Sequence, residues 1–153
     1  MKLLTFFSCL SVGLLVGALL FEAVVLAPYW QSLSPKRFGE LHAVIGPRLY
    51  RFFAPITAAA TSISATTAIV ALLTSNNAKL ATSGTALCLL VMVWLYVVYF
   101  AKANARLAAA ADHPETLDPN HLSTELTRRA QIHRIRVGVG LIGYTCSIYA
   151  FIA

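Results

Sequence analysis

The stretch LLTFFSCLSVGLLVGALLFEAVVLA, residues 3–27, decides the fold, because it is apolar throughout except for one charged residue, Glu22. About 20 consecutive apolar residues are enough for a helix to cross the roughly 30 Å hydrocarbon core of a bilayer. The run is longer than the core of a signal peptide, and its only small-residue cleavage candidate, Ala27, precedes Pro28. We therefore expect a membrane-spanning first helix that is retained in the mature protein.

The rest of the chain has the same character. Of its 153 residues, 58% are hydrophobic and 12% are charged, and the mean hydropathy of +0.72 is far above that of a soluble domain. Three further spans are predicted, at residues 48–74, 80–110 and 123–153. Ser34 is a good N-cap and Pro35 suits the first helical position, so a short interfacial helix is expected over 35–46. The predicted fold class is all-α: a four-helix transmembrane bundle forming a single integral membrane domain, 1–153.

The net charge of +6 is explained by topology rather than by nucleic-acid binding, because the basic residues flank apolar runs. Ten lysines and arginines fall on the side of the two long connections, and only Lys2 and Lys79 fall on the other side. This distribution predicts a bacterial-type inner-membrane protein with both termini outside. Cys9, Cys88 and Cys146 each lie inside an apolar run, so we interpret them as packing residues rather than metal ligands or disulfide partners.

Polar residues within the spans fall toward one membrane face. The group comprises Glu22, His42, Arg51, Asn104, His133 and Arg136. A bare carboxylate inside a bilayer is unfavourable by a few kcal/mol or more, so Glu22 should pair or take up a proton. Its expected partners are Arg51, His133 and Arg136. A purely structural ion pair that fixes the order of the helices explains Glu22 equally well.

Two stripes are predicted to bring polar residues into the bundle. On the fourth helix, spacings of four, three, four and four residues put one series on a single face: Arg129, His133, Arg136, Gly140 and Tyr144. On the third helix, the corresponding series is Trp94, Val97, Ala101 and Asn104. Several arginines, among them Arg129, are most simply interpreted as anchors at the lipid headgroups: Arg37, Arg106, Arg128 and Arg129.

The third and fourth helices carry a family resemblance. Asn104-Ala105-Arg106-Leu107, an acidic loop with prolines, and His133-Arg134-Ile135-Arg136 are similar to the N-x-x-L and H-x-x-R pattern of the anthrone-oxygenase-like family of small four-helix membrane proteins. The first half of the chain fits as well. Family members usually carry tryptophan four residues before the helix-4 histidine, where this chain has Arg129. A second group of uncharacterised four-helix membrane proteins shares the features of Ala27-Pro28 and His133-Arg134.

The first family's resemblance implies oxidation of a lipophilic aromatic or quinone-like molecule, with Asn104, His133 and Arg136 as site residues. In this hypothesis His133 takes a proton, and Arg136 and Asn104 stabilise the oxyanion. Glu22 completes the predicted catalytic group. The predicted substrate-binding residues are His42, Arg51, Trp94 and Tyr144. Chemistry without a cofactor is favoured, although His42 and His133 could also hold a haem or a metal.

Two other functions fit the sequence. A non-catalytic subunit of a membrane complex, or a homo-oligomer, is suggested by the small residues of the second span and by the GxxxG spacing of Gly13 and Gly17. A small-anion transporter is suggested by the arginines that converge on one level, although four helices are few for that role.

Overall fold

The computed structural model describes residues 1–111 and 118–153, which form four helices long and apolar enough to cross a membrane. Their bounds are α1 (Lys2–Gln31), α2 (Pro35–Leu73), α3 (Lys79–Ala109, with helical residues continuing to Ala111) and α4 (Pro119–Ile152). The predicted all-α four-helix bundle is confirmed. These four spans fit a multi-pass integral membrane protein.

The prediction of a separate interfacial helix over 35–46 is wrong, because these residues form the first turns of α2. That helix runs without a break from Pro35 to Leu73 and contains Pro47 and Pro55 in its interior. Proline removes a backbone hydrogen bond, but neighbouring helices and local adjustment allow it inside membrane helices. The fourth helix also starts earlier than predicted, at Pro119, where Asp118 Oδ1 accepts a hydrogen bond of 3.1 Å from the N–H of Asn120.

The helices form a ring in chain order. Each packs against its neighbours in sequence, and α1 closes the ring on α4. One apolar cluster fills the half nearer the termini: Val12, Leu15, Val16, Leu19, Ala60, Leu89, Met92 and Val137. A second fills the opposite end, where α1 connects to α2: Trp30, Phe38, Leu107, Leu122 and Leu126. Large side chains cover the outside, with Leu3, Leu73 and Leu80 exposed by 69%, 81% and 82%, as suits lipid contact.

Glycines allow the helices to approach closely in the half nearer the termini. A Cβ added at Gly143 would lie 2.9 Å from Cys88 Cβ, and one added at Gly13 would lie 2.9 Å from the Tyr144 ring. Small residues let membrane helices pack in this way. Gly13, part of the spacing expected to dock a partner, therefore packs against α4 of its own chain.

We expect Gly143→Val to destabilise the bundle by about 1–3 kcal/mol, because the added carbons must displace α3 from α4. Gly138→Val is the matched control, since a Cβ at Gly138 meets nothing within 4 Å. Equilibrium unfolding in mixed micelles measures both variants. Equal stability of the two would show that the close contact at Gly143 does not hold the helices together.

Two π-helical turns interrupt the α-helices on the polar side of the bundle. They comprise Glu22–Leu26 in α1 and Tyr96–Phe100 in α3, each closed by a hydrogen bond from the N–H five residues on. The first ends at Leu26, two residues before Pro28, which cannot donate a backbone hydrogen bond. Such turns occur frequently at functional sites. Both contribute residues to the cavity described next.

Candidate functional site

A cavity of about 870 Å³ lies between α2 and α3, with α1 and α4 behind it. This volume is within the usual range for small-molecule sites, roughly 300–1,000 Å³. Phe53, which packs on the first apolar cluster, and Trp30, in the second, both line the cavity. The cavity therefore adjoins both apolar clusters.

The cavity opens sideways between α2 and α3. Several of its lining residues are also exposed on the outside of the bundle: Pro47, Tyr50 and Ala58 on α2, and Ala105 and Ala108 on α3. Because both helices are long enough to span a bilayer, this opening would face lipid chains. A lipophilic molecule could enter from the membrane without crossing water.

Most of the wall is apolar, and its polar groups come from all four helices. The aromatic residues of the wall are Trp30, Tyr50, Phe53, Tyr96 and Phe100. The main hydrogen-bonding and charged residues are Glu22, His42, Asn104, Arg129 and Arg136. An apolar pocket with a few convergent polar groups is the usual form of a ligand site.

A buried ion pair joins α1 to α4 at the back of the cavity. Arg129 Nη2 donates to Glu22 Oε1 at 2.9 Å, and both residues are buried. The Arg129 guanidinium carbon lies 4.9 Å from the centre of the Trp30 ring and 5.8 Å from that of Phe100. The carboxylate on the first π-helical turn is thus held by a cation that is itself packed between aromatic rings.

His133 lies beside this ion pair and is 1% exposed. Its Nε2 lies 3.0 Å from the carbonyl oxygen of Leu19 and 3.8 Å from Glu22 Oε2. Since a carbonyl only accepts hydrogen bonds, we assign the proton to Nε2, which leaves Nδ1 buried without a partner. His133 does not line the cavity, so its contacts are those of a residue that ties α4 to α1.

Arg136 is the second buried cation, and it lines the cavity directly. It is 6% exposed, and its guanidinium carbon lies 5.4 Å from the Phe100 ring centre and 5.9 Å from that of Tyr96. Its Nε has no hydrogen-bond partner, and no carboxylate in residues 1–111 and 118–153 lies within 4.0 Å of its guanidinium. Unlike Arg129, it is neutralised by none of these residues.

His42 and Asn104 complete the polar wall, on α2 and α3. The His42 ring stacks on Phe38 with centroids 5.3 Å apart, and it is only partly buried. Asn104 Oδ1 is buried without a hydrogen-bond partner. Both side chains can therefore bond to a molecule in the cavity.

The structure brings together most of the residues predicted to form the site. Glu22, His42, Asn104 and Arg136 line one cavity, and His133 lies behind Glu22. The predicted stripe on α4 faces the interior, since Arg129, His133 and Arg136 are all buried. Its last member, Tyr144, packs on Gly13 in the half nearer the termini and not at the cavity.

Two other predicted substrate-binding residues lie on the outer surface. Arg51 is exposed and does not line the cavity. Trp94 is 60% exposed, because it lies two residues, or about 200° around the helix, from the buried Met92. The stripe predicted from Trp94 through Val97 thus points outward, and only its last member, Asn104, reaches the cavity.

Arg129 was predicted to be a headgroup anchor, and this interpretation is wrong. It is buried and is the partner of Glu22, in place of Arg51 and Arg136. Its position on the α4 stripe, four residues before His133, was the signal that identifies it as an interior residue.

The two histidines considered as haem or metal ligands, His42 and His133, do not share a wall of the cavity. In the part of the chain that the structure describes, no group of three or more His, Cys, Asp or Glu side chains could hold a metal ion. His133 Nε2 is engaged by the Leu19 carbonyl, and His133 does not share the cavity wall with His42. The two histidines therefore do not form the ligand pair considered from the sequence.

Comparison with known proteins adds no family. No family model matches the chain, and neither the curated proteins nor the solved structures give a significant match.

Proposed function

We propose that this protein is an integral membrane oxidoreductase, oxygenase-like in its chemistry, that acts on a lipophilic aromatic or quinone-like molecule in the cavity between α2 and α3. The observation that carries the proposal is the cavity itself: about 870 Å³, lined by aromatic side chains and supplied with unpaired polar groups at its inner wall. We place it in a bacterial-type inner membrane with both termini outside, on the distribution of lysine and arginine.

The proposed chemistry is the oxidation of a methylene that is activated through an aromatic ring by a ketone on the same ring system, as in an anthrone. Molecular oxygen is the oxidant: the carbon loses two hydrogens and gains one oxygen atom, and the second oxygen atom leaves as water. His42 is the better proton acceptor, because it lines the cavity whereas His133 does not. Arg136 and Asn104 supply hydrogen-bond donors for anionic oxygen atoms of the substrate. His133 becomes a positioning residue for Glu22 and α1.

A blocked cavity tests this function. Ala54 lines the cavity, so Ala54→Trp should fill it, whereas Ala59→Trp places the same side chain on the exposed face of α2. In lipid nanodiscs with an anthrone probe, we expect quinone formation and oxygen uptake above background in the parent protein and in Ala59→Trp. We expect loss of at least about tenfold in Ala54→Trp, a conservative limit for the loss of oriented binding.

Two results would contradict the proposal. Parent protein that binds the probe but produces no quinone above background would remove the oxidoreductase function and leave a binding protein. Equal rates in Ala54→Trp and Ala59→Trp would place the chemistry outside this cavity.

A further inference from the structure

We propose that the ligand of this cavity is a monoanionic amphiphile, a molecule with one carboxylate or phosphate group and a lipophilic body, and that Arg136 binds its charged group. The inference rests on the cavity in which the proposed function takes place, and it specifies the substrate class. Such a ligand could be an aromatic acid that also carries the reacting methylene.

The charges on the cavity wall support one negative charge on the ligand. Among the described residues that line it, Glu22 is the only carboxylate, and Arg129 and Arg136 are the cations. Glu22 and Arg129 neutralise each other at 2.9 Å. One positive charge, that of Arg136, therefore remains in a wall that is mostly apolar.

An isolated guanidinium in such a place is unfavourable unless a counter-charge is present. Removing an ion from water costs several kcal/mol, and contacts with aromatic faces return only about 0.5–2 kcal/mol. The contacts of Arg136 with Phe100 and Tyr96 thus offset part of the desolvation and leave its N–H groups available. A carboxylate or phosphate accepts from such a fork of donors in a bidentate manner.

The remainder of the wall fits the lipophilic body of the ligand. Tyr50, Phe53 and Tyr96 line the same cavity as Arg136, and Tyr50 is also exposed on the outside of α2. A ligand would enter from the bilayer with its body among these rings and its acid group at the inner wall. Asn104, whose Oδ1 lacks a donor, can accept from a hydroxyl on the same molecule.

The tryptophans provide a direct assay. The chain has two, of which Trp30 lines the cavity and Trp94 lies on the outside. In a Trp94→Phe background, an anthracene-labelled fatty acid and its methyl ester are titrated into nanodiscs of zwitterionic phosphatidylcholine, and the quenching of Trp30 is followed. The acid and the ester partition differently into the bilayer, but this difference is the same for every variant. The ratio of the two apparent Kd values, compared between variants, therefore reports only the preference of the cavity.

We expect the preference for acid over ester to fall by about tenfold or more in Arg136→Gln, as for loss of a hydrogen bond to a charged group. Arg136→Lys should retain part of the preference. Arg134→Gln, which removes an exposed charge from the same helix, should retain all of it. Ester binding in each variant reports that the cavity is still formed.

A competition experiment in the protein with native Arg136 tests the same point, and it does not depend on whether the Arg136 variants fold. Displacement of the labelled acid by hexadecanoate or by hexadecyl methyl phosphate, a diester with a single negative charge, but not by hexadecanol, supports the assignment and identifies the preferred head group. Equal displacement by hexadecanol, or an unchanged acid preference in Arg136→Gln, overturns the anion assignment and leaves the proposed function intact. Failure of both probes to quench Trp30 in every protein would refute the proposed ligand class, whereas the proposed function is tested separately by quinone formation in Ala54→Trp and Ala59→Trp.

Discussion

Arg129→Met is expected to lower the free energy of unfolding by about 3–5 kcal/mol, the usual effect of removing one partner from a buried ion pair. The Glu22 carboxylate would remain buried and would lose the hydrogen bond of 2.9 Å from Arg129. The loss of Arg129 also removes its packing against Trp30. Reversible unfolding in mixed micelles, followed by circular dichroism, measures the change.

Arg128→Met is the matched control, since this neighbouring arginine is exposed and contacts only the Tyr99 ring among aromatic groups. Surface charges contribute little, so its effect should be within about 1 kcal/mol. The double variant Glu22→Gln, Arg129→Met should recover much of the loss, because it leaves no unpaired charge. Equal effects of Arg128→Met and Arg129→Met would contradict the structural role given to the ion pair.

His42→Ala is expected to slow oxidation of the anthrone probe by about 10²–10⁴-fold, the usual contribution of a positioned general base. His42 lines the cavity, whereas His133 does not, so His42 can take a proton from a bound molecule. Binding of the probe, measured by quenching of Trp30, should change much less than the rate. Stopped-flow absorbance of the quinone product gives the rate.

His133→Ala separates the two histidine roles. This change removes the hydrogen bond to the Leu19 carbonyl and opens a space beside Glu22, so we expect lower stability. In folded protein the rate should be lowered less than in His42→Ala. If the two variants are equally stable and His133→Ala slows the reaction more than His42→Ala does, His133 is the proton acceptor and the assignment of His42 is wrong.

The fold could be predicted from the sequence because the bilayer imposes a simple requirement of length and hydrophobicity. Four apolar runs met it, and the structure has four matching helices. A helix end near residue 46 is predicted because Gly46 and Pro47 are weak helix formers in water, but α2 continues through both. Local propensity was outweighed by packing.

The site was predictable where spacing fixes the face of a helix. The stripe containing Arg129, His133 and Arg136 on α4 follows from helical geometry alone, and all three are buried. On α3, the choice of face depended on Trp94, and a tryptophan in an apolar run is equally suited to lipid and to the interior. The pairing of Glu22 with Arg129 depends on how α1 packs against α4, and the local sequence of either helix does not determine this packing.

The π-helical turn at Tyr96–Phe100 has a consequence for how relatives of this chain should be aligned. Such a turn amounts to one residue inserted into an α-helix, and one residue is about 100° of rotation. A homologue that lacks the insertion would present a different side chain at the position of Asn104 while keeping the same fold. Alignments of such chains need single-residue gaps inside transmembrane helices, where gaps are ordinarily forbidden, before their polar residues can be compared.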